Sequence, residues 1–301
     1  MSNQHLQLSD ALFTSRRYFD AVIAEHGWGW LRGSPADRDA EATRSQSGPG
    51  GGWSPEFLTG AVGYSCLYLI TAARQVSSLG KLFLYAETDD LALTAPALIR
   101  STLEHLAYAS WILDPRLGNA RRRIARGQLE GLASSRSWSG VASSFGDSKD
   151  RDRARGEYDL RQAQAKKIFY SSEIQCDQDS GDILKLAGER RPHTDKAIAG
   201  FGVIIGDRAF GRGLYKYLCA AAHPTAHAIQ ELLVATTRPD GKKDYRVGVA
   251  DDDEYFARLA ATAALGFHQA MRLFASYSGW PIEPLDSWLD EIRPAFSAVL
   301  V

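Results

Sequence analysis

The stretch LALTAPALIRSTLEHLAYASWIL, residues 91–113, is the most apolar part of the chain and decides its fold class. Its apolar residues recur at helical spacing, and its only formal charges are Arg100 and Glu104. A helix that is apolar on nearly every face belongs in the interior of a protein. The stretch therefore predicts a central helix with other helices packed around it.

Helical spacing of apolar residues continues along most of the remaining chain, for example in the segments 194–205, 208–222 and 225–235. One segment breaks the pattern, because strand-forming residues lie on both sides of the turn Asp240-Gly241. We therefore expect an all-α fold: a multi-helix bundle of eight or nine helices, with one small β-hairpin near 234–249. The economical interpretation is a single helical domain over residues 1–301.

Residues 32–54, RGSPADRDAEATRSQSGPGGGWS, have no regular pattern of apolar residues. Five glycines and two prolines lie there among mixed charges. A segment of this kind buries too little apolar surface to offset the entropy lost on ordering. It is therefore predicted to be a mobile loop.

The composition excludes some classes of protein and of function. The 301 residues are 45% apolar, which excludes general disorder, and a formal net charge of −1 excludes nucleic-acid binding through bulk charge. Three scattered cysteines indicate a reducing compartment, and 26 arginines against 9 lysines indicate a GC-rich bacterial genome of the actinomycete kind. The longest uncharged stretch, 57–73, is shorter than a usual membrane span. We expect a cytoplasmic protein with no membrane partner.

The motifs of common nucleotide-binding proteins, hydrolases and zinc proteases do not occur in the sequence. There is also no E-x-x-H, the motif that a di-iron helical bundle needs on two helices. The residues consequently predict no metal site, and they identify no cofactor.

The first candidate site lies in the central helix. Arg100 and Glu104 are one turn apart, on a face that they share with Tyr108 and Trp111. Because an isolated buried charge is costly, the two charges are expected to pair. Two interpretations are open: a structural ion pair, or a functional polar cluster.

The second candidate site is the run YKYLCAAAHPTAH, residues 215–227. Proline at 224 favours the end of one helix before it and the start of another, which leaves His223 at the joint. A helix N-terminus favours the neutral imidazole, a form suited to a general base or a ligand. A His that merely caps the helix is the alternative.

We expect these two sites to form one buried polar pocket. In it Glu104 orients His223 as the base, Arg100 binds an anionic group, and Tyr217 completes the candidate catalytic set. Further ligand contacts are expected from four nearby side chains: His105, Tyr108, Tyr215 and His227.

A third feature of the sequence is a segment rich in arginine. Residues 116–136 contain six arginines and a single acid, Glu130, which gives a local charge of +5. This face could bind the phosphates of RNA. Alternatively it is a solvated face that is neutralised by the acidic run at 251–254 or by a partner.

The motifs L-I-R-x-x-x-E-H, W-I-L-D-P, RRRIARGQLEGL and Y-x-Y-L-x-x-x-x-H resemble a large set of uncharacterised actinobacterial helical proteins. The resemblance covers roughly residues 57–235 and carries no assigned reaction. More distantly, Arg100-x4-His105 is similar to the R-x(4–6)-H motif of HEPN domains, helical bundles found in toxins and phage-defence ribonucleases. That resemblance implies ribonuclease activity.

Three function classes therefore remain open. The leading one is an enzyme or small-ligand binder that uses the polar pocket; the others are a HEPN-like ribonuclease and a non-catalytic interaction module. Seven tryptophans and apolar faces on nearly every helix also predict a homo-oligomer.

Overall fold

Apolar residues at helical spacing organise most of the chain into helices. The structure, a computed structural model, describes residues 3–86, 88–204, 208–222, 233–237, 241–247 and 253–297. Within them lie ten helices, which confirms the all-α, multi-helix fold. They are α1 (Asn3–His26), α2 (Pro35–Arg44), α3 (Glu56–Tyr85), α4 (Thr88–Leu113), α5 (Ala120–Phe145), α6 (Ser148–Ile168), α7 (Thr194–Ile204), α8 (Arg208–Ala222), α9 (Asp253–Ser278) and α10 (Glu283–Ile292).

Three antiparallel two-stranded hairpins accompany the helices in the described residues. They are β1 (Ser47–Gly48) with β2 (Gly51–Gly52), β3 (Ile174–Cys176) with β4 (Ile183–Leu186), and β5 (Leu233–Thr237) with β6 (Lys243–Val247). The third is the hairpin that the Asp-Gly turn predicts. The first two are not apparent from the sequence, because each strand has at most four residues and so carries little periodicity.

Helix α4 lies at the centre of the bundle, as its composition predicts. It packs against α3, α5, α7, α8 and α9, and the side chains of Ile99, Leu103 and Leu106 are fully buried. The helix begins at Thr88 and continues through Pro96, a residue that removes one backbone donor from the helix interior. The helix therefore begins three residues before the apolar stretch 91–113.

Residues 32–54, which the sequence predicts to be a mobile loop, contain regular structure: α2, and the hairpin of β1 and β2. Ser34 caps α2 by accepting a hydrogen bond from the Asp37 backbone N–H at 3.1 Å. Downstream, Trp53 is buried, and its indole N–H donates to the Ile168 carbonyl at 3.1 Å. A Cβ on Gly48 would lie 2.0 Å from that same carbonyl oxygen. Glycine is needed here because two backbones touch, so it is not a sign of mobility.

Helix α3 is the one described helix that is long and apolar enough to cross a membrane by length and composition. Its most apolar window has a mean hydropathy of 1.2, and 44% of that window is buried inside the protein. Because α3 packs against α1, α4 and α5, its apolar residues are also accounted for by the core of the bundle.

A fully buried histidine, His268, joins α9 to α10. Its Nε2 donates to the Leu285 carbonyl at 2.9 Å, while Nδ1 has no partner within the described chain. Burial lowers the pKa of His268 below its ordinary value of 6.5, and the charge of Arg272 acts in the same direction. The folded protein therefore holds this imidazole neutral.

We expect His268 to make the protein less stable in mild acid. Below pH 6.5 the unfolded chain takes up a proton that the folded chain resists, so this contribution to stability is present above pH 6.5 and lost as the pH falls. Urea unfolding between about pH 7.5 and pH 5 measures the slope. His268→Gln should flatten that slope, and an unchanged slope would contradict the assignment.

Candidate functional site

The structure joins Arg100 and Glu104 to a tyrosine of α8. Arg100 Nε and the Tyr215 hydroxyl each donate to Glu104 Oε1 at 3.0 Å. The Arg100 guanidinium also lies 5.7 Å from the centre of the Tyr215 ring. The two charged side chains are 26% and 29% exposed, so the pair lies at the rim of the core rather than deep inside it. Burial raises the pKa of Tyr215, which therefore remains a hydrogen-bond donor.

Of the remaining members of the expected catalytic set, the structure describes Tyr217, and it does not join this cluster. Tyr217 is half exposed, and its ring lies 6.4 Å from that of Tyr255. Two residues along a helix correspond to a rotation of about 200°, so Tyr215 faces Glu104 while Tyr217 faces elsewhere. His223 and His227 lie outside the described residues, and their expected roles stay predictions.

A second polar cluster lies between α3, α4 and α5. Glu130 of α5 is 1% exposed, and its carboxylate accepts hydrogen bonds from Arg191 Nε at 2.8 Å and Nη2 at 3.2 Å. The Tyr68 hydroxyl of α3 donates to the same carboxylate. Burial and the charge of Glu130 raise the pKa of Tyr68, so the phenol stays protonated. Both carboxylate oxygens are therefore occupied.

Two of the expected ligand contacts belong to this second cluster. The Arg191 guanidinium lies 4.0 Å from the centre of the Tyr108 ring, which also stacks on Tyr68 at 6.0 Å. The His105 ring lies 5.6 Å from the Tyr68 ring, and its Nδ1 donates to the Ser101 carbonyl at 2.6 Å. In the HEPN-like motif, Arg100 therefore pairs with Glu104 of the first cluster, whereas His105 packs against Tyr68 of the second.

Above the second cluster is an open cavity of about 480 Å³, and we name it the Glu130–Arg191 site. One face of α5 supplies most of its wall, since the lining residues recur every three or four positions. The polar and aromatic residues that line it are Tyr68, Glu130, Ser134, Ser137, Trp138 and Arg191. A smaller hollow of about 190 Å³ shares Arg191 and adds Arg190 and His193.

The arginines of residues 116–136 are neutralised within the protein. In the acidic run at 251–254, Glu254 pairs with Arg258 of its own helix, while residues 251 and 252 lie outside the described residues. Five described carboxylates outside α5 pair with these arginines, and each of the six arginines contacts at least one: Asp39, Asp114, Glu173, Asp182 and Glu189. The expected basic face is consequently a set of ion pairs that tie α5 to its neighbours.

Sequence reasoning missed Glu130 and Arg191 as site residues. The available signal was that Glu130 is the single acid in an arginine-rich helix and falls among its apolar positions, beside Leu129 and Leu132. Its partner is 61 residues away, and helical spacing does not predict a contact at that distance. Among the described residues, no group of three histidine, cysteine or acidic side chains is placed to hold a metal ion.

Comparison with protein-family models, with curated proteins and with solved structures finds no match to this chain.

Proposed function

We propose that the protein binds a small aromatic anion in the Glu130–Arg191 site. The observation that carries the proposal is the fixed guanidinium of Arg191 at the cavity wall. Glu130 accepts from its Nε and Nη2, and Tyr108 lies against its face. Nη1 has no acceptor within the described residues and so remains a donor for a ligand. An arginine held in this way loses little conformational entropy when it binds an oxyanion.

The surrounding charge favours an anion. The charge of Arg191 is balanced by Glu130, whereas Arg190 is exposed and has no acidic partner in the described part of the chain. His193 is exposed beside it. The hollow next to the cavity therefore has a net positive charge that a phosphate or carboxylate can neutralise.

An aromatic body fits the other end of the cavity. The Trp138 side chain lines the wall and is 51% exposed, so a flat ring can stack on its indole. Ser134 and Ser137 add hydroxyl groups that can position polar atoms of a ligand. We propose binding rather than proton transfer at Glu130, because both of its oxygens already accept hydrogen bonds. A base at His223, ribonuclease activity and self-association stay separate predictions.

The test compares AMP with adenosine, the same purine without the phosphate, by isothermal titration calorimetry. AMP is expected to bind at least about ten-fold more tightly, a difference of about 1.4 kcal/mol. Trp138→Ala is expected to weaken both ligands by about ten-fold through lost stacking. Arg190→Met is expected to weaken AMP alone.

The matched control for the arginine variant is Arg258→Met, at an exposed arginine of α9 whose partner is Glu254. It should leave AMP binding unchanged. Equal affinities for AMP and adenosine, no binding of either, or AMP binding that Trp138→Ala does not alter would each contradict the proposal.

A further inference from the structure

A second cavity, of about 470 Å³, lies on another side of the bundle between α2, α9 and the connection from α4 to α5. Its walls are apolar at Leu113, Pro115 and Leu273 and polar at Arg38, Asp39 and Arg123. It shares no lining residue with the Glu130–Arg191 site. We name it the Arg123 cavity.

The guanidinium of Arg123 is fixed at the wall of this cavity. Its side chain is only 4% exposed, Nε donates to Asp39 Oδ2 at 3.0 Å, and Nη1 donates to the Ile112 carbonyl at 2.7 Å. The Tyr277 ring covers its face at 4.3 Å, and the Tyr277 hydroxyl donates to the same Asp39 oxygen at 3.0 Å. Burial raises the pKa of Tyr277, so the hydroxyl remains a donor.

One nitrogen of the Arg123 guanidinium is open to the cavity. Nε and Nη1 donate within the protein, whereas Nη2 has no acceptor among the described residues and is not one of their fully buried polar atoms without a partner. Because Arg123 lines the cavity, Nη2 can donate to an acceptor that occupies the cavity.

The balance of charge around the cavity sets the ligand class. Asp39 offsets the charge of Arg123. Arg38 donates to the Gly33 carbonyl at 2.6 Å, an uncharged acceptor, so one positive charge is left in excess. A single carboxylate would balance that charge and accept from Nη2. The apolar walls would hold a compact hydrocarbon body.

We infer that the Arg123 cavity is a second binding site, for a small organic carboxylate. Its volume is within the range of natural ligand pockets, about 300–1,000 Å³. The inference is independent of the Glu130–Arg191 site, since neither the residues nor the ligand need be shared.

The test measures binding of pivalate and of its uncharged counterpart pivalamide to the full chain by ligand-observed NMR. Pivalate is a compact carboxylate without an aromatic ring, so it lacks the group that is proposed to stack on Trp138. Pivalate is expected to bind at least about ten-fold more tightly than pivalamide. Ala42 is an exposed residue of α2 that lines the cavity, and Ala42→Phe should fill it and abolish pivalate binding. Arg38→Met, at another exposed position, should weaken pivalate binding about two- to five-fold.

Ala42 and Arg38 are exposed, so their variants are expected to fold. Arg123→Met would remove the ion-pair partner of Asp39, and the test does not depend on that variant. Ala163→Phe is the matched control, because it makes the same substitution at an exposed alanine of α6 that lines neither cavity, and it should leave pivalate binding unchanged. The inference is overturned by equal binding of pivalate and pivalamide, by pivalate binding that survives Ala42→Phe, or by no binding of pivalate.

Discussion

Replacing Glu189 with glutamine is expected to lower the free energy of unfolding by about 3–5 kcal/mol. Glu189 is 5% exposed and accepts hydrogen bonds from the Nε atoms of Arg122 and Arg126. Arg126 is itself buried, and its next carboxylate, that of Asp114, is 3.8 Å away. Burial lowers the pKa of Arg126 against the opposing effect of Glu189, so the carboxylate is the main group that stabilises this charge. Without it a buried cation loses its partner.

Urea unfolding of the wild type and of Glu189→Gln measures this loss. The control is Glu157→Gln, the same substitution in an exposed pair with Arg161 on α6, which should change stability by less than about 1 kcal/mol. Equal effects of the two substitutions would show that the arginines of α5 are not tied to the fold by buried ion pairs.

The second large effect is expected from Gly127→Ala, which should destabilise the protein by about 1–3 kcal/mol or more. Gly127 is where α5 lies against α3, and an added Cβ would be 2.4 Å from the Ala61 Cβ and 2.5 Å from its Cα. Neither atom belongs to a flexible side chain, so the two helices would have to move apart.

Gly140→Ala on the same helix is the matched control, and its expected effect has the opposite sign. Gly140 is exposed, and an added Cβ there would meet nothing within 4 Å. Alanine is a better helix former than glycine, so this variant should gain about 0.5–1 kcal/mol. Thermal unfolding of both variants measures these changes in stability. A Gly127→Ala variant as stable as the wild type would show that α3 and α5 are not closely packed at this position.

Local spacing predicts the helices and the β5–β6 hairpin, because both depend on residues that are close in sequence. The same is true of the pair Arg100 and Glu104, one helical turn apart. Composition alone does not predict the structure of residues 32–54. A glycine that permits a close backbone contact, such as Gly48, cannot be distinguished by composition from a glycine in a flexible linker. The Ser34–Pro35 capping pattern was the better signal there.

Contacts between residues that are far apart in the chain could not be predicted from the sequence. Tyr215 reaches Glu104 across 111 residues, and Arg123 reaches Asp39 across 84. The arginines of α5 look like a basic surface in sequence because their carboxylates are scattered over other elements. Which acid faces which arginine is decided by helix packing, and no spacing rule expresses that.

The first helix of the chain packs against the last two, and this has a consequence during synthesis. Trp280 donates to the Gly29 carbonyl across 251 residues, and Tyr18 stacks on Trp288 of α10. At roughly 5–20 residues per second, a ribosome needs about 13–50 s to make the intervening chain. During that time the apolar side of α1 lacks α9 and α10, the helices that cover it in the folded protein. A nascent chain of this protein therefore exposes that apolar surface to solvent until α9 and α10 have been made.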